Sequence, residues 1–135
     1  MDSMKTTESS IYTLKAPYFI ELRGKRYPCN LNSYRNTHYR IMNQLKKKFK
    51  DLMREQIETL PTMNRVKIHY IIHYENARSY DIDNIVSVVS KFFQDALVEL
   101  NRLPDDSFNH ITKIIGTAGN ISRNDGYIEI KIKEL

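Results

Sequence analysis

The sequence contains little of what would place it among disulfide-bonded, zinc-binding or membrane proteins. One cysteine, Cys29, excludes an internal disulfide framework and fits a reducing compartment. The four histidines are scattered, and with a single cysteine they form no zinc-binding pattern. The apolar runs are short, whereas a membrane-spanning helix needs roughly 20 residues. Neither a signal peptide nor a membrane partner is therefore expected, and the composition favours a cytoplasmic location.

The length of 135 residues suits one domain with a single core, so we expect one domain over residues 1–135. Its first ten residues are polar, and we expect residues 1–10 to be loose. The pattern contains no internal repeat and no low-complexity segment.

The positive charge is concentrated in one part of the chain. From Arg23 to Arg54 there are ten Lys or Arg residues and one acid, Asp51, so this block carries a net charge of +9. The rest of the chain carries −4, which gives the overall net charge of +5. A basic block beside an acidic remainder suggests a phosphate-binding surface next to a metal site. For residues 46–48 taken alone, a solvated helix face is the simpler interpretation. The residues predicted to bind nucleic acid are Arg35, Arg40, Lys46, Lys47, Lys48 and Lys50.

Hydrophobic periodicity predicts a single α+β domain in the order β-α-β-α-β-β, with one mixed sheet and two main helices covering a face. The predicted strands are 18–22, 65–74, 108–117 and 127–133, and the predicted helices run from a cap at Asn36 or Thr37 to about 59 and from Asp83 to about 101. We expect loops at residues 27–35 and 75–80, a turn at 104–107, and a hairpin loop at 116–126.

Two acidic pairs are the most informative feature of the chain. Asp81 and Asp83 lie in Asp81-Ile82-Asp83-Asn84, and Asp105-Asp106 follows the second predicted helix. Clustered like charges are costly unless they are neutralised, and a hard divalent cation is the usual partner of carboxylate oxygens. A helix cap accounts for one aspartate only, and a simple turn accounts for Asp105-Asp106 taken alone. The intervening helix would extend about 27 Å, so the sequence alone does not bring Asp106 to Asp81.

At these residues the chain resembles the RusA-type Holliday-junction endodeoxyribonucleases, a family common in phages and prophages. The resemblance covers Asp81-Ile82-Asp83-Asn84, then Lys91-Phe92-Phe93-Gln94-Asp95-Ala96-Leu97, then Asp105-Asp106, which together span about 26 residues. The family shows an Asp-x-Asp-Asn, a lysine, an Asp-Ala-Leu and a final Asp-Asp in that order. The segment Asn30-Leu31-Asn32-Ser33-Tyr34-Arg35 is similar to the family's Asn- and Tyr-rich N-terminal loop.

The resemblance implies a small homodimer that nicks four-way DNA junctions with Mg²⁺, or with Mn²⁺ in its place, in the cytoplasm of a bacterial host. It makes Asp81, Asp83 and Asp106 the metal-binding carboxylates and Lys91 the catalytic lysine. The family lysine usually follows Asp-x-Asp-Asn after two residues, a place that Ser87 occupies here. Counting back along the motif from Asp95-Ala96-Leu97 places the family lysine at Lys91 instead. The alternative interpretation of Lys91 is a surface lysine that pairs with Asp95, four residues further on.

The sequence therefore predicts a magnesium-dependent, structure-selective endonuclease that resolves Holliday junctions in recombination and repair by paired nicks. A two-fold dimer would supply two identical sites to a two-fold substrate. The alternative is a non-catalytic DNA-binding or protein-interaction module that keeps the same fold, which the displaced lysine favours.

Overall fold

The computed structural model describes residues 10–78 and 80–135, so the segment expected to be loose lies, except for Ser10, outside the described residues. The described part forms a single α+β domain. Its elements are β1 (Ile11–Pro17), β2 (Phe19–Leu22), β3 (Lys25–Pro28), α1 (Leu31–Asn36), α2 (Tyr39–Glu58), β4 (Val66–His73), α3 (Ile82–Glu99), β5 (Ile111–Ala118) and β6 (Tyr127–Glu134). The predicted class, a mixed sheet with two main helices, is confirmed.

Four strands form the main sheet in the order β1-β6-β4-β5, while β2 and β3 pair with each other separately. β4 pairs in parallel with β5 and antiparallel with β6, and β6 pairs antiparallel with β1. The hairpin predicted at residues 116–126 is therefore wrong, because β4 lies between β5 and β6. A parallel pair needs a long crossover connection, and α3 supplies it between β4 and β5.

Three short elements of the N-terminal third were not predicted from the sequence. β1 extends the sheet at one edge, and β3 and α1 occupy much of the segment that was predicted to be a loop. Asn30 caps α1, since its side-chain oxygen accepts the Ser33 N–H at 2.9 Å. The cap of α2 is also different from the prediction: it is His38, whose Nδ1 accepts the Arg40 N–H at 3.1 Å.

The core lies between one face of the sheet and the two long helices. Its inward side chains come from alternate positions of the central strands and from one stripe of each helix. The fully buried members include Phe49, Met53, Ile57, Ile68, Tyr70, Ile72, Phe93, Leu97, Ile128 and Ile130. No helix within the described residues is both long and apolar enough to cross a membrane.

Close packing on β5 fixes the position of the first half of α3. A Cβ atom on Gly116 would lie 2.9 Å from Cγ2 of Val86 and 3.0 Å from Cγ2 of Ile82. Glycine at this position therefore lets the helix approach the strand, which a larger side chain would prevent. The contact holds the N-terminus of α3, where the acidic residues begin, against the sheet.

Candidate functional site

An open cleft of about 720 Å³ lies where α1 meets the start of α3. Both segments contribute polar side chains to it, although they are far apart in the sequence. The lining residues are Leu31, Asn32, Arg35, Tyr80, Asp81, Ile82, Asp83 and Asn84. Two of the predicted metal ligands and one of the predicted nucleic-acid-binding residues thus share one cavity.

Asp81 occupies the N-cap position of α3 but does not cap the helix with its side chain. Its backbone is extended, with φ −83° and ψ 124°, and its side chain makes no capping hydrogen bond. Its carbonyl oxygen instead accepts the Asn84 N–H at 3.1 Å. Asp83 lies in the first turn, where a negative charge is favoured by the helix dipole. Both carboxylates are on exposed residues and remain available to a ligand.

Asn84 joins the two walls of the cleft. Its Oδ1 accepts the Leu31 N–H at 3.0 Å in a partly buried environment. That N–H belongs to the first residue of α1, which has no partner within its own helix. The last residue of the Asp-x-Asp-Asn motif is therefore a positioning residue, because it holds α1 and Arg35 beside the acidic pair.

We expect Asn84→Ala to destabilise the domain by about 1–2 kcal/mol, since it leaves a partly buried N–H without an acceptor. Asn84→Asp keeps the acceptor oxygen and is the matched control, with a smaller expected loss. Urea unfolding followed by circular dichroism measures both changes. Equal stability of Asn84→Ala and the parent protein would show that the bond does not hold the cleft together.

Aromatic packing supports the connection that leads into Asp81. The rings of Tyr74 and Tyr80 stack with centroids 4.7 Å apart, and the Tyr80 hydroxyl donates to Oδ1 of Asn76 at 2.8 Å. Burial raises the pKa of Tyr74, and the nearby Asp81 carboxylate raises it further. Burial also raises the pKa of Tyr18 to about 12. The Tyr74 phenol therefore stays protonated at neutral pH and adds no negative charge near Asp81.

Arg35 is the cation that lines the cleft. It lies in the last turn of α1 and is exposed. Within residues 10–78 and 80–135, no carboxylate oxygen lies within the 4.0 Å of an ion pair with its guanidinium. The sequence placed this residue in a DNA-binding block and gave no reason to place it beside Asp81, because the bond from Asn84 to α1 is not visible in the sequence.

Lys91 and Ser87, the two positions considered for the family lysine, are exposed on α3 and do not line the cleft. Lys91 lies seven residues after Asn84, which is roughly 10 Å along a helix axis. Asp95 is the residue with which Lys91 would pair as a surface lysine, and its carboxylate lies 3.6 Å from the amine of Lys46. The catalytic role of Lys91 stays a prediction.

Asp106 lies beyond the opposite end of α3 from Asp81. That helix has 18 residues, and its axis extends about 27 Å. The chain then returns to the start of the central strand, where Ile111 pairs with Val66. Asp106 is exposed there, and its backbone N–H bonds to Asp105 and lowers the pKa of that carboxyl group. Within a single chain Asp106 does not line the cleft, so its assignment as a metal ligand stays a prediction.

The basic block divides into paired and exposed cations. Nζ of Lys50 lies 2.9 Å from Oε1 of Glu99, which adds to the contact between Lys46 and α3 and links the two long helices. Arg40, Lys47 and Lys48 are exposed. Among the six residues predicted to bind nucleic acid, these three and Arg35 are therefore exposed, whereas Lys46 and Lys50 are half-buried.

The donor atoms of the cleft fit a magnesium ion that is only partly coordinated by protein. Mg²⁺ is usually held by one or two carboxylates, with water and substrate phosphate completing the octahedron. Asp81 and Asp83 provide two carboxylates, while Oδ1 of Asn84 is already bonded to α1. The described ranges contain no group of three or more His, Cys, Asp or Glu side chains positioned to hold a metal.

Comparison of the chain with models of known protein families and with curated proteins gave no match. The relationship to the RusA-type nucleases therefore rests on the motif residues themselves and stays a prediction.

Proposed function

We propose that this protein is a magnesium-dependent endodeoxyribonuclease that acts on four-way DNA junctions. The observation that carries the proposal is the cleft itself: two exposed carboxylates, of which Asp81 makes no side-chain capping bond, share one open cavity with a guanidinium that has no acidic partner among the described residues. A metal-bound phosphodiester needs this combination of charges. The RusA-like motif supports the junction as substrate and the cytoplasm of a bacterial host, through a phage or prophage, as the place of action.

Asp81 and Asp83 would hold the metal, and Asn84 would keep their helix in register with α1. The metal held there would supply polarisation of the scissile phosphate and activation of a water for in-line attack. Arg35 would donate hydrogen bonds to a non-bridging phosphate oxygen, where negative charge accumulates in the transition state. The stacked ring of Tyr80 would form an apolar wall beside the substrate.

A two-fold dimer belongs to this proposal. Two nicks on opposed strands require two sites related by the symmetry of the junction. Because Asp106 lies beyond the far end of α3, a second copy of the chain would bring it to Asp81 and Asp83. Phe108, two residues after Asp106, is 82% exposed and offers apolar surface for such a contact.

Phosphate contacts would come from Arg40, Lys47 and Lys48 on the exposed side of α2. Such contacts orient the DNA without reading its sequence. Junction selection would then depend on shape and charge rather than on base edges.

The proposal is tested by incubating the protein with a labelled synthetic four-way junction and with a linear duplex of the same arm sequence. We expect paired nicks in the junction only, with Mg²⁺ or Mn²⁺ present, and none in EDTA. Absence of junction nicking by a protein that binds the junction would contradict the proposal.

That contrary result would favour the second candidate, a non-catalytic DNA-binding module. The positions of Lys91 outside the cleft and of Asp106 at the far end of α3 favour it, because each separates a predicted catalytic residue from Asp81. Its signature is junction binding with no dependence on a divalent ion.

A further inference from the structure

The sheet has a second face, on which no described helix packs, although the segment after β5 covers its end at His73. The strand pairing aligns side chains across it in transverse rows. One row contains Lys113 of β5, Lys67 of β4 and Lys133 of β6. Neighbouring strands lie about 4.8 Å apart, so three lysines fall within roughly 10 Å. The next row along the strands contains His69 of β4 and Lys131 of β6.

These two rows contain no acidic side chain. Glu129, which lies one row further on, has its Oε1 3.0 Å from Nε2 of His73 and its Oε2 4.0 Å from Nζ of Lys131. Like charges directly opposite each other on paired strands destabilise a sheet. Lys67 and Lys133 are such a pair, and both are half-buried. An anionic ligand would remove this repulsion.

The lysines also surround a shallow depression of about 220 Å³. Its lining includes Lys67, His69, Lys131 and Lys133, with Ile11 and Ile115 at its sides. Nε2 of His69 lies 2.7 Å from Oγ1 of Thr117, which fixes the orientation of the ring. Three lysines therefore border one depression.

We propose that this face of the sheet, which we call the lysine face (Lys67, Lys113, Lys131 and Lys133), binds the phosphate backbone of duplex nucleic acid. The charges lie on rigid strands and are regularly spaced, which suits a polyanion with repeated phosphates. Among the residues that the structure describes, this face offers no fully exposed aromatic ring for insertion into a bilayer, because Tyr127 is half-buried and stacked on His73 with centroids 4.5 Å apart. Duplex binding is therefore favoured over an anionic membrane.

The lysine face lies on the opposite side of the sheet from the helices, and the inference does not depend on cleavage. If the protein is a nuclease, this face would hold an arm of DNA away from the cleft. If it is only a binding module, the face would still bind duplex. The test below uses EDTA, so that failure of the cleavage proposal and failure of this one give different results.

The experiment measures fluorescence anisotropy of a labelled linear duplex in EDTA over about 50 to 200 mM NaCl, the range in which counterion release is strong. We expect Lys67→Gln/Lys133→Gln to weaken binding about tenfold and to reduce the log–log salt slope by about 1.8, which is about 0.9 for each lost contact. Its melting temperature should equal or exceed that of the parent protein, because a repulsive pair has been removed.

Two control variants separate local from general charge effects. Lys67→Arg/Lys133→Arg should bind like the parent protein. Arg123→Gln, which removes an exposed cation that lies off the lysine face and outside the basic block, should retain the parent slope. An unchanged slope in Lys67→Gln/Lys133→Gln, or an equal loss in the arginine variant, would overturn the proposal. So would loss of binding to phosphatidylserine vesicles in the lysine variant while its binding to duplex is retained.

Discussion

We expect Asp81→Asn and Asp83→Asn each to reduce magnesium-dependent junction cleavage by about 10³-fold, the upper range for losing one electrostatic stabiliser. The amide keeps the shape of the side chain but loses the charge that a hard cation requires. Binding of the junction in EDTA should survive or become tighter, because a carboxylate that repels phosphate has been removed. Single-turnover nicking and anisotropy measure the two effects separately.

Asp51→Asn is a suitable control for these variants, since it removes an exposed aspartate from α2 and should leave cleavage within about twofold of the parent rate. Asp81 makes no side-chain capping bond, so its replacement should cost little stability. Cleavage by Asp81→Asn at a rate near that of the parent protein would show that the cleft is not the metal site.

The contribution of Asp106 can be tested with mixed dimers. If Asp106 enters the site from a second copy, Asp81→Asn and Asp106→Asn should each be inactive alone. A mixture of the two should regain nicking, because the heterodimer contains one site with all carboxylates intact. A site built within one chain would leave the mixture inactive.

We expect Arg35→Ala to slow cleavage by about 10²- to 10³-fold, and to slow it more than Lys91→Ala does. Arg35 lines the cleft with Asp81 and Asp83, whereas Lys91 lies outside it on an exposed part of α3. Arg35→Lys should recover part of the rate, since it restores the charge without the planar pair of donors. Pre-steady-state rates at saturating enzyme distinguish slower chemistry from weaker binding.

The reverse order of effects would assign the catalytic cation to Lys91, as the motif register predicts. That outcome would mean that the DNA or a second copy brings Lys91 to the scissile phosphate. Equal and small effects in both variants would leave Arg78, the nearest cation before the acidic motif, as the residue to replace next.

Helices and strands with strong hydrophobic periodicity were predictable from the sequence, but the pairing of the strands in the sheet was not. The stripe of Leu45, Phe49 and Ile57 correctly identified α2, and strict alternation identified β4. Nothing in that alternation states that β5 pairs in parallel with β4 while β6 pairs on the other side. Leu52 follows Phe49 at helical spacing and yet is 47% exposed, because the spacing of apolar residues gives only an approximate helix face.

For the candidate site, the sequence identified the carboxylates but not their surroundings. Asp81 and Asp83 were evident from their spacing and from the cost of clustered charge. The approach of Arg35 depends on a bond between residues 53 positions apart, which no local pattern encodes. The lysine face was not predictable from the sequence for a related reason. Its lysines come from three different strands, and the residues between them in the sequence include acids.

The six-residue helix α1 gives the two sides of the cleft different local stabilities. α1 has no fully buried residue and is secured by the Asn30 cap, by the bond from Asn84 and by partly buried Leu31 and Tyr34, whereas α3 buries a full stripe of side chains. Regions with few buried contacts open by local unfolding and exchange their amide protons early. The carboxylates therefore stand on a rigid element, and the guanidinium stands on one that can open without global unfolding. A phosphate bound by Arg35 would stabilise the closed form, so the ordering of α1 would form part of substrate binding.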